Sequence, residues 1–336
     1  MKSLICVEPG RLEYAEKPAP VITPGNAIIK IKRIGICGTD LHAFEGTQPY
    51  FQYPRVLGHE LSAEIADISP NNGFKPGDIV TIMPYFYCGK CYACRNGKTN
   101  CCANLRVAGV HTDGGFADYF SVPEYSLIHG NGLSHDQLAL VEPLAIGAHG
   151  IRRAAVKHGE IVLIIGAGPI GMALIAFAKM TGARVMVMDV NKFRLDFCRE
   201  QLNVEAINAA DKTASQQFED LTNGELAHVV IDATGNIRAI NNAFGYMSHG
   251  GRYILVGLQK ENIVFSHPDF HKKEGTLMSS RNATVDDFNY VIESIASGKI
   301  DPLKFITHRA AFGRVKEQFA NWLNPANNVI KAVVEI

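Results

Sequence analysis

From Ile161 to Ala178 the chain runs without a charged residue, flanked by Glu160 and Lys179. Its length and apolarity alone permit a membrane span. Its interior argues against one, because Gly166-Ala167-Gly168-Pro169-Ile170-Gly171 puts three glycines and a proline near the middle. That punctuation favours a buried strand, a tight turn and a helix. A glycine triplet is weak by itself in a chain with 31 glycines. Here it follows the strand pattern Ile161–Ile165 and opens the helical pattern Ile170–Thr181, the context a dinucleotide site requires. Gly166 permits the tight turn, Gly168 lets the backbone approach a pyrophosphate, and Gly171 allows close packing of helix on strand. The helix N-terminus, with Pro169 and Ile170 in its first turn, favours phosphate charge. Asp189 ends the next strand pattern, where a carboxylate would bond ribose hydroxyls and repel a 2′-phosphate. NAD is therefore expected over NADP, a preference that Lys192 and Arg194 just beyond soften.

Apolar strand patterns go on alternating with helical ones: Arg184–Asp189, Phe193–Leu202, Val229–Asp232 and Arg252–Val256. Alternation of this kind predicts βαβ units and a parallel sheet. The first ~145 residues differ, with short strands such as Ala27–Ile34 and Asp78–Met83 set off by Pro24-Gly25 and Pro76-Gly77. They read as an irregular, mainly β domain. The character changes near Glu142-Pro143. It changes again after Gly275, with a helix near Asp286–Ser297 and a closing strand at Ile330–Ile336. At 336 residues, two domains are expected.

Lys+Arg and Asp+Glu both number 33, which argues against nucleic acid or an anionic membrane as partner. The start, MKSLICVEPG, lacks the apolar stretch of a signal peptide, so a cytoplasmic protein is expected. Eight cysteines without such a signal suggest metal rather than disulfides. Cys88, Cys91 and Cys94 are spaced C-x2-C-x2-C, and Cys101-Cys102 follow. Four thiolates close every position around zinc and make a structural site. Cys102 is taken as the fourth ligand, although spacing does not separate it from Cys101.

A second constellation is dispersed. Cys37-Gly38-Thr39-Asp40-Leu41-His42 is expected in a loop after a strand, and Gly58-His59-Glu60 follows some twenty residues later. Cysteine, imidazole and carboxylate together suit a zinc with one open position. Singly, each residue is more often structural. The stretch His267-Pro268-Asp269-Phe270-His271-Lys272-Lys273 matches no standard zinc spacing and reads as loop and interface.

In these motifs, in their order and with Glu142-Pro143 between them, the sequence resembles the zinc-containing medium-chain alcohol/polyol dehydrogenases over nearly its whole length. Within them it resembles sorbitol dehydrogenases. It is closer still to bacterial L-galactonate/L-gulonate-type 5-dehydrogenases, through Tyr53–Glu60, Gly109–Phe116 and Ser280–Ala283. The resemblance implies an α/β protein: a GroES-like catalytic domain over 1–146, to which 281–336 return, and a Rossmann domain over 147–280. It implies catalytic zinc on Cys37 and His59, Glu60 as a direct or exchangeable ligand, and Glu142 as a ligand or as the holder of a zinc-bound water. Asp40 would fix the His59 ring. Ala63 and Ser69 depart from the family signature, which has glycines there.

The expected reaction is hydride transfer from an alcohol carbon to NAD. Zinc stabilises the alkoxide, and Thr39 passes the hydroxyl proton through the nicotinamide ribose to His42 and solvent. Glu142 gives the zinc a polar setting suited to polyols. Arg281 resembles the arginine that contacts substrate hydroxyls in sorbitol dehydrogenases, and its fork also fits a carboxylate. Tyr50 and His111 are placed in the same pocket. These features point to a sugar acid, with sorbitol- or threonine-type substrates as alternatives. A non-catalytic zinc- and NAD-binding regulatory protein and a zinc-free reductase are disfavoured by the joint presence of Cys37, Thr39, His59 and Glu142. A homodimer or homotetramer is expected.

Overall fold

The computed structural model describes residues 1–49, 51–69 and 73–336. Its contacts divide into two compact units, Met1–Pro143 with Asn282–Ile336, and Leu144–Arg281.

In the first unit a seven-stranded sheet runs in the order Leu127–His129, Ile79–Ile82, Glu60–Ile68, Asn26–Gly35, Lys331–Glu335, Ile306–Ala311. Tyr119–Pro123 also pairs with Asn26–Gly35. Ile29, Ile31, Leu61, Ala63, Ile65, Val80 and Ile82 fill its core with Phe116 and Phe319. Each of these isoleucine, leucine, valine and phenylalanine side chains taken from water contributes roughly 1.5–3 kcal/mol. Asn26–Gly35 and Glu60–Ile68 are antiparallel, with Gly35 opposite Glu60. This register brings the segments after Gly35 and before Glu60 together.

The second unit is a six-stranded parallel sheet in the order Glu205–Asn208, Arg184–Asp189, Ile161–Ile165, Ala227–Asp232, Met247–Leu255, Thr276–Ser279. This is the doubly wound order of a Rossmann fold, whose ligand sites lie beyond the strands' carboxyl ends. Every residue of Ile161–Ile165 is buried, as a strand covered on both faces must be. Leu163 and Ile165 pack with Met186, Met188, Phe218, Val230 and Tyr253 on one side of the sheet.

Two segments expected as loops are helical. Gly38–Glu45 forms a helix with Cys37 as its N-cap. At eight residues it shows little apolar periodicity, and the Asp40 carboxylate supports its start by accepting from the Cys37 N–H at 3.0 Å. His267–Lys272 is also a helix, started by Ser266, whose hydroxyl accepts from the Asp269 N–H. The edge strands Glu205–Asn208 and Thr276–Ser279 were not anticipated, being too short to show a period. No helix among the described residues is long and apolar enough to cross a membrane.

Candidate active site and metal centres

The Cys37 sulfur, a ring nitrogen of His59 and a carboxylate oxygen of Glu60 lie within 4.8 Å of one another. Asp40 organises them. It is buried, with Oδ2 accepting from the Cys37 N–H and Oδ1 from the Gly58 N–H at 3.1 Å. One carboxylate thus pins both donor segments. His59 Nδ1 is 3.8 Å from Asp40 Oδ1, too far for a hydrogen bond, and is left without a partner. The backbone around Gly58 demands glycine. Its φ is +90°, and a Cβ on Gly109 or Gly114 would come within 2.8 Å or 2.3 Å of its backbone.

Glu60 is fully buried, and both its oxygens accept from Lys331 Nζ at 2.7 Å. Lys331 also donates to the Ile36 carbonyl at 3.0 Å. Burial alone would lower the lysine's pKa, but Glu60 and the Cys37 sulfur raise it, so the ammonium is kept. Gly35 makes room for the pair, since a Cβ there would stand 2.1 Å from Glu60 Oε2. Glu142, in the first turn of the helix Val141–Ala154, is buried and accepts from the Tyr85 hydroxyl. Burial, with Glu60 nearby, pushes its carboxyl up to about 7.

Burial opposes charge on His59, yet Asp40 and Cys37 hold its pKa well above the ordinary value. Positive charge is therefore favoured in this pocket. A metal ion supplies the same positive charge. Sulfur, nitrogen and oxygen donors within this span fit zinc.

Thr39 is half-buried one residue into the helix that Cys37 caps, and His42 lies one turn on. His42 is exposed, with Nδ1 3.3 Å from Glu45 and 3.2 Å from the Thr47 hydroxyl. His111 is half-buried, and its Nδ1 accepts from the Val107 N–H at 3.1 Å, which leaves the ring proton on Nε2. Arg281 is exposed beyond the strand Thr276–Ser279 in the second unit. Tyr50 lies outside the described residues.

The sulfurs of Cys88, Cys91, Cys94 and Cys102 form a second set within 4.8 Å, whereas Cys101 is exposed and outside it. Backbone N–H groups point at this cluster: Cys88 and Asn104 donate to the Cys102 sulfur at 3.3 and 3.4 Å. Backbone hydrogen bonds from Lys90 and Cys91 bring the Cys88 thiol down to about 6. All four cysteines are free, and the set can hold a structural zinc.

In the second unit Gly166 has φ +104°, and a Cβ there would touch Thr234 at 2.9 Å. A Cβ on Gly171 would lie 1.8 Å from the Gly166 carbonyl oxygen, so only glycine allows this helix-on-turn contact. Gly168 caps the helix Pro169–Met180, with Ile170 in the first turn. Asp189 Oδ2 accepts from the Ala167 N–H at 2.5 Å and Oδ1 from the Asn191 N–H at 2.8 Å, which ties the acid to the glycine turn.

The family description of the alcohol dehydrogenase GroES-like domain matches residues 23–131, and that of the zinc-binding dehydrogenases matches residues 169–297. The chain belongs to the zinc-type medium-chain alcohol dehydrogenase family. It is an oxidoreductase acting on CH–OH groups. The L-galactonate-5-dehydrogenase of Escherichia coli strain K12 is 43% identical over 335 residues, 99% of this chain and 98% of that protein. The 2-dehydro-3-deoxy-L-galactonate 5-dehydrogenase of Pseudoalteromonas atlantica is 34% identical over 315 residues, 93% and 92% of the two chains. Among solved structures, a short chain alcohol dehydrogenase (rspB) from Escherichia coli CFT073, complexed with cofactor NADH, matches with a TM-score of 0.94. It is 29% identical, and the match covers 100% of this dehydrogenase and 99% of that chain.

Two residues of the pocket escape sequence reasoning. Lys331 left a signal, as a lone cation in the apolar run Ile330–Val334 that must find a buried anion. Tyr85 left none, because nothing local separates it from the neighbouring tyrosines.

Proposed function

We propose that this dehydrogenase oxidises a secondary alcohol of a polyol or sugar acid, foremost a hexonate of the L-galactonate/L-gulonate type, with NAD as hydride acceptor. The observation that carries this reading is the Cys37–His59–Glu60 set, whose sulfur, nitrogen and oxygen donors lie within 4.8 Å of one another. The relatives above, which are named for sugar acids, point to the substrate class. When bound, zinc polarises the alcohol oxygen and the nicotinamide takes the hydride.

The chain's own residues do the rest. Cys37 and His59 hold the metal, with Glu60 and Glu142 as the carboxylates beside it. Thr39 Oγ1 takes the hydroxyl proton, and His42, exposed one turn along, hands it to solvent. The Gly166–Gly171 turn and the N-terminus of Pro169–Met180 bind pyrophosphate, and Asp189 binds the ribose hydroxyls and selects NAD. For the substrate, His111 and Arg281 are the side chains to vary, the arginine because its fork matches a carboxylate. Cys88, Cys91, Cys94 and Cys102 hold a structural zinc. Unlinked cysteines suit a reducing cytoplasm. The exposed edge strand Thr276–Ser279 offers unpaired backbone to a second copy.

The test is NADH formation by zinc-loaded protein with L-galactonate, L-gulonate, sorbitol and L-threonine. Turnover concentrated on the hexonates is expected. Turnover on sorbitol or threonine instead would keep the metal mechanism and remove the sugar-acid assignment.

A further inference from the structure

We propose that Tyr85 is a positioning residue for the reaction. Its hydroxyl fixes the Glu142 carboxylate beside the Cys37–His59–Glu60 set and thereby governs how that glutamate meets the metal. The inference rests on the metal assignment above and goes beyond it.

Three buried carboxylates surround the set, and they differ in what holds them. Asp40 has one backbone N–H on each oxygen. Glu60 has both oxygens on the Lys331 ammonium. Glu142 is held at Oε1 by Tyr85, a neutral donor. Asp40 and Glu60 thus have a partner on both oxygens, and a metal at Glu60 would share the carboxylate with an ammonium. Glu142 is restrained at one oxygen only, by a group that does not cancel its charge.

A buried phenol needs an acceptor, and a backbone carbonyl usually suffices. The hydroxyls of Tyr14, Tyr53 and Tyr253 donate to the carbonyls of Phe312, Ala43 and Ile240. Tyr85 donates to a carboxylate instead. Its ring is fixed by the strand pair Tyr85↔Val107 and by an edge contact with Phe288 at 6.3 Å. Both contacts survive replacement by phenylalanine. The bond also crosses between elements, from the strand Tyr85–Phe86 to the helix Val141–Ala154. Removing the hydroxyl frees a carboxylate whose backbone stays in place.

The test replaces the catalytic zinc by cobalt(II) in wild type, Tyr85→Phe, Glu142→Gln and the double variant. Visible spectra, kcat and the KM for NAD are then recorded. Tyr85→Phe is expected to bind one cobalt at this site with a shifted d–d spectrum. Its kcat should fall about 10–100-fold with KM for NAD unchanged. The double variant should be no slower than Glu142→Gln alone, because Tyr85 acts through Glu142. A wild-type spectrum and kcat in Tyr85→Phe would overturn the proposal, as would losses that multiply in the double variant. If Cys37→Ser leaves the cobalt spectrum unchanged, the metal assignment itself falls and takes the role of Tyr85 with it.

Discussion

Lys331 holds both oxygens of Glu60 with almost no access to water, so neither charge is hydrated. A buried pair contributes little net stability, but breaking one leaves an uncompensated charge at about 3–5 kcal/mol. Lys331→Met should therefore lower the stability of zinc-free protein by about that much in urea unfolding. The deficit should narrow with zinc, which gives Glu60 a second partner; an unchanged midpoint would contradict the pairing. Gly35 makes a sharper case. Its missing side chain is the space that Glu60 Oε2 occupies. Gly35→Ala should displace the carboxylate and reduce zinc retention at the Cys37 site under dialysis against a weak chelator, with the four-cysteine site unaffected. Equal retention at both sites would mean that the strand shifts and the carboxylate stays.

Between elements, Asp136 is the clearest electrostatic tie. It sits in the short helix His135–Leu138 and accepts from Arg33 Nε at 2.8 Å and Arg309 Nη2 at 2.7 Å, on two strands of the sheet. Hydrogen bonding to Arg309, against a smaller opposing effect of burial, holds its carboxyl below the ordinary value. A depressed folded pKa means stability present above the unfolded value, about 3.9, and lost as pH falls through the folded one. Asp136→Asn should be less stable than wild type by about 1–2 kcal/mol at pH 7. The gap should close in acid; a gap that persists at pH 2 would contradict the sign. At the nucleotide turn, Asp189→Ser should cut the preference for NAD over NADP in kcat/KM by at least about tenfold. An unchanged ratio would move selectivity to Arg194, whose Nη1 lies 3.8 Å from a Cβ built on Gly168. The strands Ile161–Ile165 and Arg184–Asp189 were legible to the residue, because a strand buried on both faces is an unbroken apolar run between polar ends. The helix Gly38–Glu45 was not. Its start depends on Asp40, whose other oxygen reaches Gly58, eighteen residues away. The Tyr85–Glu142 bond was equally hidden, since it joins residues 57 apart that only the fold brings together.

At the scale of the whole molecule, the chain separates two uses of one kind of ligand. The four sulfurs of Cys88, Cys91, Cys94 and Cys102 would close a tetrahedron and take no part in chemistry. The mixed set of Cys37, His59 and Glu60 would keep a position open. Both sets lie in the unit built from the two chain ends, whereas the glycine turn and Asp189 lie in the other. Hydride transfer on this account needs both units but only one of the two metal sites. The most direct test is zinc stoichiometry, by elemental analysis, together with NADH formation from L-galactonate in wild type, Cys37→Ser and Cys102→Ser. The account predicts about two zinc ions per wild-type chain and about one in each variant. Cys37→Ser should be inactive and lose less heat stability than Cys102→Ser, whose loop depends on its metal. Full activity in Cys37→Ser, or two zinc ions retained in it, would contradict the claim that this cysteine anchors the catalytic metal.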